Sequence, residues 1–490
     1  MPSISAASLT QLLGQWRGQR PAFRALADRV LLQLVDGRVA AGTRLPAERE
    51  LAEALGVSRT TVASAYAHLR TAGYLRSVRG SGSVLRLPEG PDADTAGAAA
   101  PSQRRAGAPL LVDLTRAALP GSAEHVLAAA RGALEELPTH LEGPGYELLG
   151  VGALRAAVAE RYTRRGLATR PDQVLVTLGA QHAVGLLLRT LTTPGDRVLV
   201  ESPGYPHALE AVRGAGGRPV AVPVAATTAT SPGGWDAEAL EEAFARTRPA
   251  LGYLMPGFHN PTGAVMPAAL RARVCELARR CGTTLVVDET TNDLPIEELP
   301  ADQGAGAVVP APFPADVVHV GSASKSLWGG LRIGWVRADA ALVRRLAAHR
   351  APWELGTPVL DQLVTAAALP HLDEVLARRR GQLRAGRDAL LAALAEQLPE
   401  WELPVVPGGL TAWVNLGRPV SSAMALAARR HGVRVTAGPR FGVDGAFERY
   451  LRLPFGAGPD ALERAVPLLA RAWEDVRSTA AALPLLDELV

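Results

Sequence analysis

From Pro88 to Pro109 the chain reads PEGPDADTAGAAAPSQRRAGAP, rich in Pro, Ala and Gly and without apolar periodicity. Such a stretch has no face to bury, so it is expected to be a flexible linker that divides the chain into two separately folding parts. The expected organisation is a compact module over residues 1–87, a linker over 88–110 and a large domain over 111–480. At 490 residues the chain has room for both.

The two parts differ in charge. Residues 1–87 carry twelve arginines against five acidic residues, a surplus of seven positive charges, whereas the whole chain carries only +4. A basic module ahead of a weakly acidic body points to a polyanionic partner for the module alone. No apolar run reaches the roughly 18 residues of a membrane span. The start MPSISAASLTQLLG has neither a basic nor an apolar signal region, so a cytoplasmic location is expected. The two cysteines, Cys275 and Cys281, are too few for a disulfide framework or a zinc site.

Within the module, apolar residues at helical spacing (Leu26, Val30, Leu34) predict a helix over 22–37 that ends at Gly37. A second short helix starts at Pro46 and stops at Leu55-Gly56. A third starts behind Ser58 as N-cap and runs to Gly73. Two helices joined by Leu55-Gly-Val-Ser58 have helix-turn-helix spacing, which puts the start of the second in the major groove of double-stranded DNA. Arg59, Thr60 and Thr61 stand there, an arginine fork suited to guanine beside hydroxyls that reach bases or phosphates. Two short strands around the Gly-rich turn at Arg79-Gly80 are then expected to form a wing, which sets Arg79 beside the DNA backbone or the minor groove.

The run LPAERELAEALGVSRTTVASAYAHLRTAGYL with its glycine-rich wing closely resembles the winged-helix domain of GntR-type transcriptional regulators. That resemblance implies DNA contacts from Arg49, Arg59, Thr60 and Arg79, with Gly80 at the wing tip. Ala63 departs from family members that carry an arginine contact on the recognition helix, so it leaves the operator sequence open.

After residue 110 short apolar runs alternate with amphipathic helices. Strands are expected over 174–178, 197–201, 251–254, 284–288 and 317–321, in a buried parallel sheet with its ligand site at their carboxyl ends. Lys325 is the only lysine among the 52 Lys and Arg residues of the chain. Arginine replaces lysine in ion pairs but stays protonated and cannot condense with an aldehyde. Ser322-Ala-Ser-Lys325 and Gly-Gly-Leu-Arg332 therefore suggest an aldehyde cofactor bearing a phosphate, pyridoxal 5'-phosphate (PLP). Gly179-Ala180-Gln181 opens a helix whose free N–H groups suit a phosphate, with Ser322, Ser324 and Arg332 completing the cradle. Asp288, at a strand end, suits pairing with a protonated pyridine nitrogen. Asn260 offers an amide to the ring oxygen and Tyr205 a flat face.

Residues 111 to about 475 resemble the class I/II aminotransferases of PLP fold type I, and the fusion resembles the MocR subfamily of regulators. The implied fold is a winged helix-turn-helix joined to a large α/β PLP-dependent transferase-like domain with a smaller C-terminal subdomain. The implied roles are cofactor attachment at Lys325, a gripping arginine for an amino-acid carboxylate at Arg452, and a reach by Tyr146 to the phosphate of the neighbouring subunit in a homodimer. Two departures stand out. Aminotransferases usually carry a tyrosine shortly after the strand-terminal aspartate, where this chain has Glu289-Thr-Thr-Asn292. His207 occupies a position that holds an anion-binding arginine in a related regulator. Trp328 is expected to narrow the ligand pocket. The leading expectation is a transcriptional regulator that senses PLP or an amino-acid effector. The alternatives are a working aminotransferase carrying a DNA-binding domain and a sensor of PLP level alone.

Overall fold

The computed structural model describes residues 2–14, 16, 21–35, 38–78, 82–86, 112–299, 310 and 312–481. The N-terminal module comprises α1 (Ala6–Leu13), α2 (Ala22–Val35), α3 (Glu48–Leu55), α4 (Arg59–Thr71) and the antiparallel pair β1 (Leu75–Val78) and β2 (Gly82–Leu85). Helix α3 ends because Gly56 takes a left-handed conformation (φ 61°), which a side chain would strain. Two residues later Ser58 accepts the Thr61 N–H at 3.1 Å and starts α4. Leu26, Val30, Leu51, Val62 and Leu69 bury the inner faces together with Leu9 and Leu13 of α1, a helix that the sequence pattern does not predict.

The large domain begins with β3 (Val112–Asp113), α5 (Ala123–His140), α6 (Gly152–Arg164), β4 (Val174–Thr177), α7 (Ala180–Leu191), β5 (Arg197–Ser202) and α8 (Pro206–Gly214). It continues through β6 (Arg218–Ala225), β7 (Gly234–Trp235), α9 (Ala237–Thr247), β8 (Leu251–Leu254), α10 (Ala268–Cys281), β9 (Thr284–Asp288), β10 (Val318–Ser322) and β11 (Gly334–Arg337). One eight-stranded sheet runs in the order β4-β11-β10-β9-β8-β5-β6-β7. All five expected strands point the same way, since β5, β8, β9 and β10 pair in parallel and β4 is reached through β11, antiparallel to both its neighbours. The reversed strand is a consequence of chain length. Only the Lys325 loop separates β10 from β11, too short a connection for the crossover that a parallel neighbour needs.

The carboxyl ends of β4, β5, β8, β9 and β10 therefore share one edge, and the loops that follow them carry Gly179, Tyr205, Asn260 and Lys325. The remaining elements are α11 (Ala340–Arg350), α12 (Val359–Ala368), α13 (Leu372–Gln397), β12 (Thr411–Asn415), α14 (Ser421–Arg430), β13 (Val433–Arg434), β14 (Thr436–Ala437), β15 (Tyr450–Pro454) and α15 (Pro459–Ala481). Strands β12, β15 and β14 form a small sheet that α13, α14 and α15 cover, the smaller subdomain. Leu32 of α2 joins this second core, so the N-terminal module is packed on the C-terminal subdomain. Among the described residues no helix is long and apolar enough to cross a membrane.

Candidate functional site

A cleft at the carboxyl edge of the large sheet is lined by Lys325, Asp288, Asn260, Tyr205, Ala180, Gln181, Ser322, Ser324 and Arg332. Ala117, Phe258, Thr290, Thr291 and Leu410 complete much of its wall. The Lys325 amine donates to the Ala117 carbonyl. Burial, then the positive charges of Arg452 and Arg332, bring its pKa down to about 8 against the opposing pull of Asp288. Asp288 is 2% exposed, and burial raises its pKa. Its Oδ1 accepts the Thr290 N–H at 2.9 Å and its Oδ2 the Tyr253 hydroxyl at 2.5 Å.

The phosphate end is shaped by close packing. Gly179 has φ 80° and precedes α7, and a Cβ there would lie 2.7 Å from the Arg332 guanidinium. A Cβ on Gly334 would come within 2.6 Å of the Ala180 nitrogen. Arg332, itself left-handed (φ 54°), donates to the Leu178 carbonyl at 3.2 Å. Ser322 Oγ bonds with Ser324 Oγ and the Ile333 carbonyl, both at 3.0 Å.

Arg452 on β15 is 7% exposed, and burial followed by the nearby Arg440 lowers its pKa to about 10. It donates to the Thr115 carbonyl, stands 5.0 Å from the centre of the Phe441 ring and leaves its Nε without a hydrogen-bond partner. The buried Oδ1 of Asn260 and Oε1 of Gln181 are likewise unpaired. Buried polar groups are normally satisfied, so the unpaired atoms of Asn260 and Gln181 in the cleft wall, with that of Arg452 beside it, fit a polar ligand. With the amine, the acid and a cradle that a Cβ would fill, the residues present fit PLP.

Of the expected site residues, Gly179 and Arg452 adjoin the cleft without lining it, and His207 and Tyr146 lie apart from its wall. His207 is half exposed and turns to Glu210 (3.0 Å), outside the cleft wall, though its ring packs edge-on to Tyr205 at 5.5 Å. Tyr146 follows α5, is 67% exposed and does not line the cleft of its own chain. Trp328, expected to narrow the pocket, packs instead on Gly121, where a Cβ would meet it at 3.1 Å.

Other participants went unseen in the sequence. Tyr253 comes from β8, adjacent to β9, and strand order is not written in the chain. Glu201 accepts the Trp235 indole N–H at 2.8 Å and the Met255 N–H at 2.9 Å and lies 3.2 Å from the His259 ring, close under the loop that carries Asn260. Glu289 turns away from the cleft to His319 (2.9 Å) and the Tyr162 hydroxyl (2.8 Å). Although burial opposes its charge, His319 leads the groups that hold its pKa down, at about 2. Thr290 and Thr291 thus stand in the wall where a tyrosine is usual.

On the module, Arg49, Arg59 and Thr60 are exposed and Thr61 is partly buried at the start of α4. The Arg59 side chain is 72% exposed, 3.7 Å from Glu48. Arg79 and Gly80 lie outside the described residues.

Residues 111–467 match the aminotransferase class I and II family. The chain belongs to that family. Residues 23–85 match the bacterial regulatory proteins of the gntR family, so this class I and II family member carries a gntR reader ahead of its aminotransferase-like domain. The 2-aminoadipate transaminase of Thermus thermophilus is 32% identical over 309 residues, 62% of this chain and 75% of that protein. The probable rhizopine catabolism regulatory protein MocR of Rhizobium meliloti is 31% identical over 424 residues, 78% of each chain. Among solved structures, LysN, the α-aminoadipate aminotransferase of Thermus thermophilus complexed with N-(5'-phosphopyridoxyl)-L-leucine, superposes with a TM-score of 0.67 at 28% identity. That likeness covers 75% of this chain and 93% of LysN. The transcription-regulator reading fits the gntR domain, and an aminotransferase fold with neighbours that bind PLP-type ligands implies PLP.

Proposed function

We propose that this protein is a DNA-binding transcriptional regulator whose aminotransferase-like domain holds PLP at Lys325 and senses PLP or an amino-acid effector. The observation that carries the reading is the placement of the chain's only lysine, with a depressed pKa, in one cleft with Asp288, behind a gntR reader. When bound, PLP supplies an aldehyde that condenses with amines and a ring that accepts electron density.

The protein's own groups divide the work. The Lys325 amine is neutral often enough near neutrality to add to an aldehyde. Asp288, held by Tyr253 and Thr290, presents a carboxylate to a pyridine nitrogen, Asn260 meets the ring oxygen and Tyr205 covers a ring face. The N–H groups at Gly179, Ala180 and Gln181, with Ser322, Ser324 and Arg332, take the phosphate. Arg452 grips an α-carboxylate. Arg49, Arg59, Thr60 and Thr61, with Arg79 and Gly80 on the wing, contact the operator. The domain limits of 1–87, 88–110 and 111–480 belong to the same proposal. So does a cytoplasmic location, since a regulator works where its DNA is.

A homodimer accompanies this reading. Leu127 and Leu134 of α5 and Leu141 at its C-cap are exposed at seven-residue intervals, followed by exposed Tyr146, Leu148, Trp353 and Leu355. So much exposed apolar surface suits a second copy, whose Tyr146 would reach the first copy's phosphate. A working aminotransferase is the second reading, favoured by Lys325, Asp288 and Arg452 together and disfavoured by Thr290 and Thr291 in place of a tyrosine.

The test is Lys325→Arg, which should hold no covalent cofactor and lose the imine absorbance. A persistent band would refute the attachment, since no other lysine exists to replace it. Sustained conversion of an amino acid and a keto acid by the wild type, with no effect of PLP or amino acids on operator binding, would replace the regulator by the enzyme.

A further inference from the structure

The N-terminal module meets the large domain on polar groups that lead back to the cleft. Arg29 of α2 is buried, donates to the Leu13 carbonyl that ends α1, and extends to the Gly445 carbonyl at 3.4 Å and to Glu448 at 3.5 Å. Glu448 is itself fixed on α14, accepting the Ser422 N–H at 3.0 Å and bonding with the Ser421 and Ser422 hydroxyls. The backbone at Gly14 runs against Asp444 so tightly that a Cβ there would collide with it. A second contact joins Arg38, just beyond α2, to Glu210 on α8 at 3.5 Å.

Each anchor leads to Tyr205 of the cleft wall through one intervening residue. Glu210 holds His207, whose ring abuts Tyr205 of the cleft wall. Residues 438–449 begin beside Arg452, where the Phe441 ring lies under its guanidinium and the Phe441 carbonyl accepts the Gly204 N–H at 2.9 Å, one residue before Tyr205. Further along, the Val443 carbonyl accepts from Arg213 of α8, and the Gly445–Glu448 stretch receives Arg29. Burial opposes charge on Glu210, but the hydrogen bond with His207 and the nearby Arg38 and Arg440 outweigh it and keep this carboxyl below its ordinary value. Glu210 therefore remains an anion for Arg38 at neutral pH.

We propose that residues 438–449, with Glu210, form a lever that holds the winged-helix module through Arg29 and Arg38 and shifts when Arg452 captures a ligand carboxylate. This rests on the regulator reading above and names its transmission path. The physical step is an exchange of partners. A carboxylate held through two parallel N–H groups draws on the unpaired Nε and competes for the Nη2 that now serves the Thr115 carbonyl, and re-aiming the guanidinium turns it over Phe441. Phe441 is fully buried against Trp413 (ring centres 5.2 Å apart), so it transmits the turn to its own segment. The reading face is not covered by the contact, since the Arg59 side chain stays 72% exposed while Arg29 is buried. The lever thus sets how the reader is held and leaves its DNA surface open.

The test uses the full-length, PLP-loaded protein and the twenty standard amino acids, each screened first for a change in the visible cofactor spectrum. Any amino acid that changes the spectrum should shift wild-type operator affinity about fivefold or more, the lower end of ordinary coupling. Glu210→Gln combined with Glu448→Gln should keep the spectral change at the same concentration while the operator shift falls below about twofold. Retention of the full shift overturns the lever. Because Glu448 also caps α14, Arg38→Gln and Glu210→Gln form a second test on groups that are only partly buried. Each should reduce the shift, and the double variant no more than either alone, whereas additive losses or no loss count against the contact. A wild type that binds no operator fails the regulator reading itself and takes the lever with it, whereas one that binds operator while its spectrum answers to no amino acid overturns the lever alone.

Discussion

The Lys325 amine makes a quantitative demand on solution behaviour. Only the neutral amine adds to an aldehyde, so the rate of cofactor capture by apo-protein should follow the fraction of Lys325 that has lost its proton. Lowering its pKa from 10.5 to about 8 raises that fraction at neutral pH by roughly 300-fold, to about one amine in ten. Stopped-flow mixing of apo-protein with PLP from about pH 6 to pH 10 should show a rate that climbs about tenfold per pH unit and levels off near pH 8. Dividing by the rate of a free lysine derivative under the same conditions removes the aldehyde's own pH dependence. The causes can be separated. Arg452 disfavours the cation, so Arg452→Gln should move the plateau to higher pH. Asp288 favours it, so Asp288→Asn should move the plateau lower. A wild-type profile still climbing at pH 10 would refute the claim that burial and Arg452 tune this amine.

Arg452→Ala should leave cofactor attachment intact but weaken the spectral response to amino acids by about tenfold to more than a hundredfold, the loss of a charge-assisted bidentate contact; an unchanged response places the carboxylate site elsewhere. Tyr253→Phe leaves Asp288 Oδ2 without its donor, a buried loss of about 1–3 kcal/mol, and should lower PLP affinity in equilibrium titrations. Arg59→Ala should weaken operator binding and flatten base preference by about 1–3 kcal/mol in gel-shift titrations, with no change in melting temperature, because its exposed pairing with Glu48 contributes little stability. Leu134→Glu with Leu141→Glu should convert the dimer to monomer in sedimentation experiments, and a variant that remains dimeric would move the interface off α5.

Much of this site was legible in the chain because catalytic-type residues on a parallel sheet collect at strand ends, which hydrophobic patterning locates. Lys325, Asp288, Asn260 and Tyr205 each follow or end an apolar run, and the structure brings them to one cleft. What patterning does not reveal is strand adjacency and side-chain direction. Tyr253 reads as an ordinary strand aromatic until β8 is placed beside β9, and His207 lies two residues from Tyr205 yet faces Glu210. Strand β11 was missed because its four residues follow so closely on the Lys325 loop that they read as part of it. Helix α1 was missed because eight residues give too short a period to stand out before its packing partners are known. The contact of Arg29 with Glu448 spans most of the chain, and no local pattern announces it.

The open reading face on a clamped module has a consequence for the operator. In the proposed dimer, two readers fixed to a common body stand at one separation and one rotational setting, so the pair acts as a ruler laid along the double helix. Half-sites a whole number of turns apart, about 10.5 base pairs each, present the same groove to both readers, and inserting half a turn carries one of them to the far side. Loosening the clamp would let the readers reach around that mismatch. Such a protein would then report ligand capture as a change in which operator spacings it accepts, even where its affinity for a single half-site stays constant.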